Sequence, residues 1–164
     1  MGHSVLKYGI QFVVLVLLQV FLFGNFHYLG FISPFVYLIF LLNLPVGMSR
    51  HLMLVLAFLL GLTIDIFSNT WGIHAFACVL VTFLRGYWID GLFHIDYAGA
   101  SPSVRVFGLI NYCKYAIGII FLHHTCLFLL EAFSLQNFWI VLLRILCNTV
   151  LTFVLVLCYE FIRR

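Results

Sequence analysis

Of 164 residues, only eight are Lys or Arg and five are Asp or Glu, 8% of the chain, whereas 65% are apolar. An ordinary soluble domain carries about 25% charged and about 45–50% apolar residues, so this composition excludes a globule clothed by its own charges in water. The net charge of +3 comes without a clustered basic face, which also excludes nucleic-acid binding. The chain reads as an all-α integral membrane protein lying almost wholly in the bilayer.

A hydrocarbon core of about 30 Å asks for about 20 apolar residues in a helix. Six runs meet or approach that length, at 5–24, 31–46, 52–67, 71–89, 112–133 and 138–162. Each is continuously apolar, unlike the alternating ten-residue strands of a membrane barrel. The second run has Pro34 and Pro45 near its ends, and at 1.5 Å per residue it reaches only about 24 Å. It is either a tilted span or one arm of a re-entrant hairpin with the third run, and a bundle of six helices is the preferred count. Residues 90–105 are the only substantial polar stretch, so residues 1–164 form a single transmembrane domain without internal repeats.

Orientation follows from the basic residues. Lys7, Arg50, Arg85, Arg105, Lys114, Arg163 and Arg164 fall on one side, and the connections 25–30, 68–70 and 134–137 contain no Lys or Arg. Both termini are expected in the cytoplasm. The first apolar run is too long for a cleavable signal and no A-x-A-like site follows it, and Leu6 stands where a myristoylation motif needs Ser or Thr. Five scattered cysteines without a C-x-x-C pair read as packing residues rather than a disulfide framework.

Polar residues within apolar runs are the candidate partner-binding set: Asp65, Arg85, His124, Glu131, Arg144 and Asn148. Asp65 sits at the end of the third run, either hydrated and capping the turn at 68–70 or facing the interior with a basic partner. Glu131 and Arg144 flank the connection 134–137, and Arg144, Asn148 and Thr152 recur every four residues on one helix face. Arg144 either pairs with Glu131 or Asp65 or snorkels outward. Arg85, one turn before Trp88, reads as a snorkelling residue at the inner interface, with Trp71 and Trp88 as aromatic belts.

His123 and His124 are adjacent and point about 100° apart, so inter-helix hydrogen bonding suits them better than chelation. Ala57 and Gly61 form a small-xxx-small pair, a pattern common in membrane helices by chance. H-E-x-x-H and G-x-S-x-G motifs are lacking, and no catalytic, metal or cofactor residue is assigned.

The stretch 59–85, LLGLTIDIFSNTWGIHAFACVLVTFLR, resembles the rod-shape-determining protein MreD family, whose members carry an apolar G-x-x-x-D run, a short turn and a Gly-containing next helix. Gly61, Asp65, Gly72 and Arg85 are the matching residues, and LNLPVGMSRHL before and HHTCLFLLEAFS after it look like the Bacteroidetes-type branch. The resemblance implies a non-enzymatic scaffold of the cell-wall elongation machinery in the bacterial inner membrane. Its expected partners are the transmembrane helix of MreC, the actin-like MreB, the peptidoglycan synthases and membrane lipids. The family fold is described as similar to the substrate-binding subunits of energy-coupling-factor transporters. A rival expectation follows, a vitamin- or ion-binding transport subunit with a pocket at Asp65, Glu131, Arg144 and Asn148. The bulky first run, between Gly9 and Gly24, lacks the small residues with which such subunits dock.

Overall fold

All three prolines of the chain stand outside the long helices, which are uninterrupted apolar sequence. The structure, a computed structural model, describes residues 2–23, 32–92, 99–132 and 137–163. Helix α1 (Gly2–Leu17) continues through a π-helical turn (Leu18–Phe23). There follow α2 (Leu38–Asn43), α3 (Arg50–Ser68), α4 (Ile73–Leu92), α5 (Val104–Phe107), α6 (Leu109–Ala132) and α7 (Phe138–Ile162). Among the described residues five helical stretches are long and apolar enough to cross a membrane: Leu6–Phe23, α3, α4, α6 and α7. This is the makeup of a multi-pass membrane protein. The connection 25–30, most of 134–137, the middle of 90–105 and Arg164 lie outside the described residues.

The second run departs from expectation. Instead of a spanning helix it forms a six-residue helix, α2, preceded by irregular chain from Ile32. Six residues rise about 9 Å, far short of a bilayer core. Leu44, at the end of α2, is extended (ψ 135°) because Pro45 follows it and bars helical geometry to the preceding residue.

This short helix is the centre of the molecule. Tyr37, Leu38, Phe40, Leu41, Leu42 and Leu44 are almost wholly buried, enclosed by the long helices. Irregular backbone at membrane depth is tolerated only where protein or a water-filled cavity satisfies its polar groups, and here four helices do so. The Gln19 amide donates to the Pro34 carbonyl (3.1 Å) and accepts from the Val36 N–H (2.8 Å). From α7, Asn148 Oδ1 accepts from Ser33 N (2.7 Å) and Thr152 Oγ1 from Phe35 N (3.2 Å). At the other end Arg85 of α4 donates to the Leu44 carbonyl, and the Tyr115 hydroxyl of α6 to that of Leu42 (3.0 Å).

The long helices form two hairpins around this core. In the first, α3 and α4 pack along their length, and α6 then packs against both α4 and α7. Where α3 and α4 cross, a β-carbon on Gly61 would stand 2.6 Å from the Ala75 nitrogen and 2.6 Å from the His74 carbonyl oxygen. Gly61, one half of the Ala57 and Gly61 pair that is a weak signal in the sequence, is therefore a contact that sets the spacing of this hairpin. At its far end Arg50 lies over the rings of Phe83 (4.3 Å) and Tyr87 (4.9 Å).

The chain ends share one end of the bundle. Tyr8 bonds Ser101 (2.9 Å), Gln11 bonds Tyr159 (3.4 Å), and Arg163 donates to Asn43 Oδ1 (2.9 Å). There Val46 exchanges two backbone bonds with the 99–100 segment, and Glu160 Oε1 accepts from the Val104 N–H at the start of α5 (3.0 Å).

Candidate functional site

Asp65 is buried (2% exposed) and holds both sides of the α3–α4 turn. Its carbonyl accepts the N–H groups of Asn69, in the left-handed conformation (φ 54°), and Thr70. Its carboxylate reaches across to the first turn of α4, whose N–H groups have no partner within the helix. Oδ1 accepts from His74 N (3.1 Å) and Oδ2 from Ala75 N (2.8 Å). Oδ1 also receives the Thr70 hydroxyl (2.5 Å) and lies 3.1 Å from His74 Nδ1. A carboxylate at a helix N-terminus is favoured by the helix dipole, so both sequence expectations hold in part: Asp65 caps the turn, and it does so from the interior with His74 as its partner.

Glu131 and Arg144 are brought together as expected. Arg144 Nη2 donates to both carboxylate oxygens (2.9 and 3.0 Å), and its Cζ lies 4.6 Å from the Phe128 ring centroid. The pair is not deeply buried, with side-chain exposures of 25% and 43%. Asn148 stands one turn further along α7, donating to the Arg144 carbonyl (2.7 Å) while its oxygen holds Ser33. Glu131 and Arg144, but not Asn148, line a cavity of about 340 Å³ together with Gln19, Ser33, Phe35, Ser68, Thr70 and His74.

His124 lies immediately behind that cavity. Its ring packs against Phe35 (4.9 Å) and Phe128 (5.8 Å), which form part of the cavity wall, and Nδ1 bonds the Ile120 carbonyl (2.8 Å). The inter-helix bond expected of one of the two histidines belongs to His123, whose Nε2 meets the Tyr37 hydroxyl at 3.2 Å. Among the described residues no cluster of His, Cys, Asp and Glu suits a metal ion.

Arg85 corrects its sequence reading. It does not snorkel to an interface; it is 2% exposed and closes the end of α2, with Nε donating to Tyr115 (2.7 Å) and Nη2 to the Leu44 carbonyl. The last carbonyls of a helix have no intrahelical partner and need donors, and Arg supplies a fork of them without leaving the core. It lies at the opposite end of the bundle from the other five candidates.

Four contributors were not singled out by the sequence reading: Gln19, His74, Tyr115 and Glu160. Gln19 had a usable signal, an amide in an otherwise apolar run. His74 stands nine residues after Asp65, across a turn short enough to return it to the same depth. For Tyr115 and Glu160 the partners are backbone groups of α2 and α5, which no spacing in the sequence announces. No known family model, curated protein or solved structure matches the chain.

Proposed function

We propose that this protein is a non-enzymatic scaffold of the bacterial inner membrane, of the MreD kind, serving the cell-wall elongation machinery by holding MreC and, through it, the peptidoglycan synthases. Its termini are cytoplasmic in this reading, and the enclosed chain from Ser33 to Val46 counts as the sixth passage through the membrane. The observation that carries the reading is the use to which the buried polar groups are put. Asp65 clamps a turn, Arg85 and Tyr115 close α2, Glu160 holds α5, and Gln19, Asn148 and Thr152 hold the chain before α2. They are spent on architecture. What the molecule presents outward is apolar helix surface, above all on α1, where Leu6, Ile10, Val13, Leu17 and Phe21 are all about half exposed or more. Such a surface engages lipid or another membrane helix through packing.

Depletion in the bacterium that makes the protein tests the reading. The expected result is rounding of the cells and dispersal of the elongation synthases, with no rescue by an added small molecule. The cavity beside Arg144 favours a second reading, a substrate-binding subunit of a transporter similar to those of energy-coupling-factor systems. Intact shape combined with a vitamin requirement on depletion would select it.

A further inference from the structure

The cavity beside Arg144 has a chemistry of its own, whichever of the two readings holds. Its volume of about 340 Å³ corresponds to roughly eleven waters at 30 Å³ each, room for a small polar group with an apolar attachment. Asp65 offers it nothing, because Asp65 does not line the cavity and its carboxylate is turned to the start of α4. A neutral imidazole that donates from Nδ1 to Asp65 has an acceptor at Nε2. With Nδ1 directed to Asp65, Nε2 is the nitrogen left for the cavity that His74 lines.

Arg144 keeps a donor to spare. One nitrogen, Nη2, serves both Glu131 oxygens, whereas the guanidinium carries five N–H donors in all. Glu131 in turn receives, among the described residues, that one nitrogen and is 43% exposed, so it retains acceptor capacity. Phe35, Phe128 and Leu127 supply an apolar wall beside these groups. A lone anion or cation entering here would meet the opposite sign on one side and its own sign on the other, and would still lose its hydration. A ligand carrying both charges meets a complement for each.

We propose that this cavity binds a zwitterionic group bearing a primary ammonium and an anionic oxygen, the anion on Arg144 and the ammonium between Glu131 and His74. The chemistry is that of an ethanolamine phosphate, either as a phospholipid head group or as a free soluble molecule. Thermal unfolding of the purified full chain in detergent micelles, followed by tryptophan fluorescence, tests it with three probes. These are dihexanoylphosphatidylethanolamine, glycerophosphoethanolamine, and dihexanoylphosphatidylglycerol, which has the phosphate without the ammonium.

Saturating phosphatidylethanolamine should raise the midpoint by about 3 °C, and phosphatidylglycerol should not. An equal rise with glycerophosphoethanolamine also supports the site and identifies a soluble source; a rise with the lipid alone identifies the membrane. Arg144→Gln should abolish the response. Because Arg144 also ties α6 to α7, Val20→Trp, which fills the cavity without removing a polar group, provides the second variant and should be equally unresponsive. The proposal is overturned if neither ethanolamine compound shifts the midpoint, if phosphatidylglycerol shifts it as far, or if Val20→Trp responds like the parent protein.

Discussion

Gly61 of α3 lies against the backbone of Ala75 on α4, with no room for a β-carbon between them. The neighbours are main-chain atoms, which cannot rotate aside as a side chain would. Gly61→Ala should therefore push the two helices apart and cost about 1–3 kcal/mol as an overpacked contact, against the small gain in helix propensity that Ala normally brings. Unfolding in detergent measures this, and a Gly61→Ala protein as stable as the parent would refute the close approach. Gly86, with open space around its α-carbon, is the control: Gly86→Ala should be neutral or stabilising.

At the other end of α2, Arg85 and Tyr115 satisfy carbonyls that no helix hydrogen bond reaches. Arg85→Leu should strand the Leu44 carbonyl in the core, at about 1–3 kcal/mol for the orphaned acceptor, with the loss of the Tyr115 contact in addition. Tyr115→Phe removes both the hydroxyl's bond to the Leu42 carbonyl and the acceptor of the Arg85 Nε–H, and should cost about 1–3 kcal/mol. Arg85→Lys keeps the charge but loses the fork, and should fall between parent and Arg85→Leu. Chemical denaturation of the three variants checks the order. If Arg85→Leu proves the mildest of them, Arg85 is not holding α2.

Asp65→Asn tests the clamp on the α3–α4 turn. The amide leaves one acceptor oxygen where the Asp65 carboxylate meets four partners, and turns an NH₂ toward either the His74 or the Ala75 N–H. Two opposed donors in a buried turn should cost about 1–3 kcal/mol. Thr70→Val, which removes only the hydroxyl from Oδ1, should cost less. Fluorescence-detected chromatography after graded heating would rank the two, and the reverse ranking would contradict the cap.

The Glu131–Arg144 pair should contribute little to stability despite its geometry. Both side chains are substantially exposed, and exposed ion pairs are worth at most about 1 kcal/mol. A double-mutant cycle with Glu131→Gln and Arg144→Gln should give a coupling energy within that limit. A coupling of several kcal/mol would mean that the pair is shielded in the folded protein as a buried one is.

How much of this was legible in the sequence depended on whether the partner was a side chain or the backbone. The long helices were, because continuous apolar sequence without proline has one solution in a bilayer. The Glu131–Arg144 pair was legible too, since a short connection returns two flanking residues to neighbouring depths. Its exposure was not, because depth along a helix does not say which way the side chain leans. Arg85 was misread for a related reason: its position near a helix end suits snorkelling, and only the buried end of α2 gives it another task. The second run was ambiguous in sequence because two prolines and about sixteen apolar residues fit a tilted span or a re-entrant arm. The structure gives it a six-residue helix in irregular chain at the core, a solution that depends on Gln19, Asn148, Thr152, Arg85 and Tyr115 arriving from four other helices.

The scaffold reading turns on what touches the outward face of α1. A photo-crosslinking amino acid at Ile10 or Val13, both about half exposed, should capture that neighbour in living cells of the organism that makes the protein, and mass spectrometry of the adduct would identify it. The expected product is a crosslink to the single membrane helix of an MreC protein, formed at these positions and absent when the probe replaces buried Ala57. Adducts to the energy-coupling subunit of a transporter, or to lipid alone at every exposed position of the bundle, would contradict it.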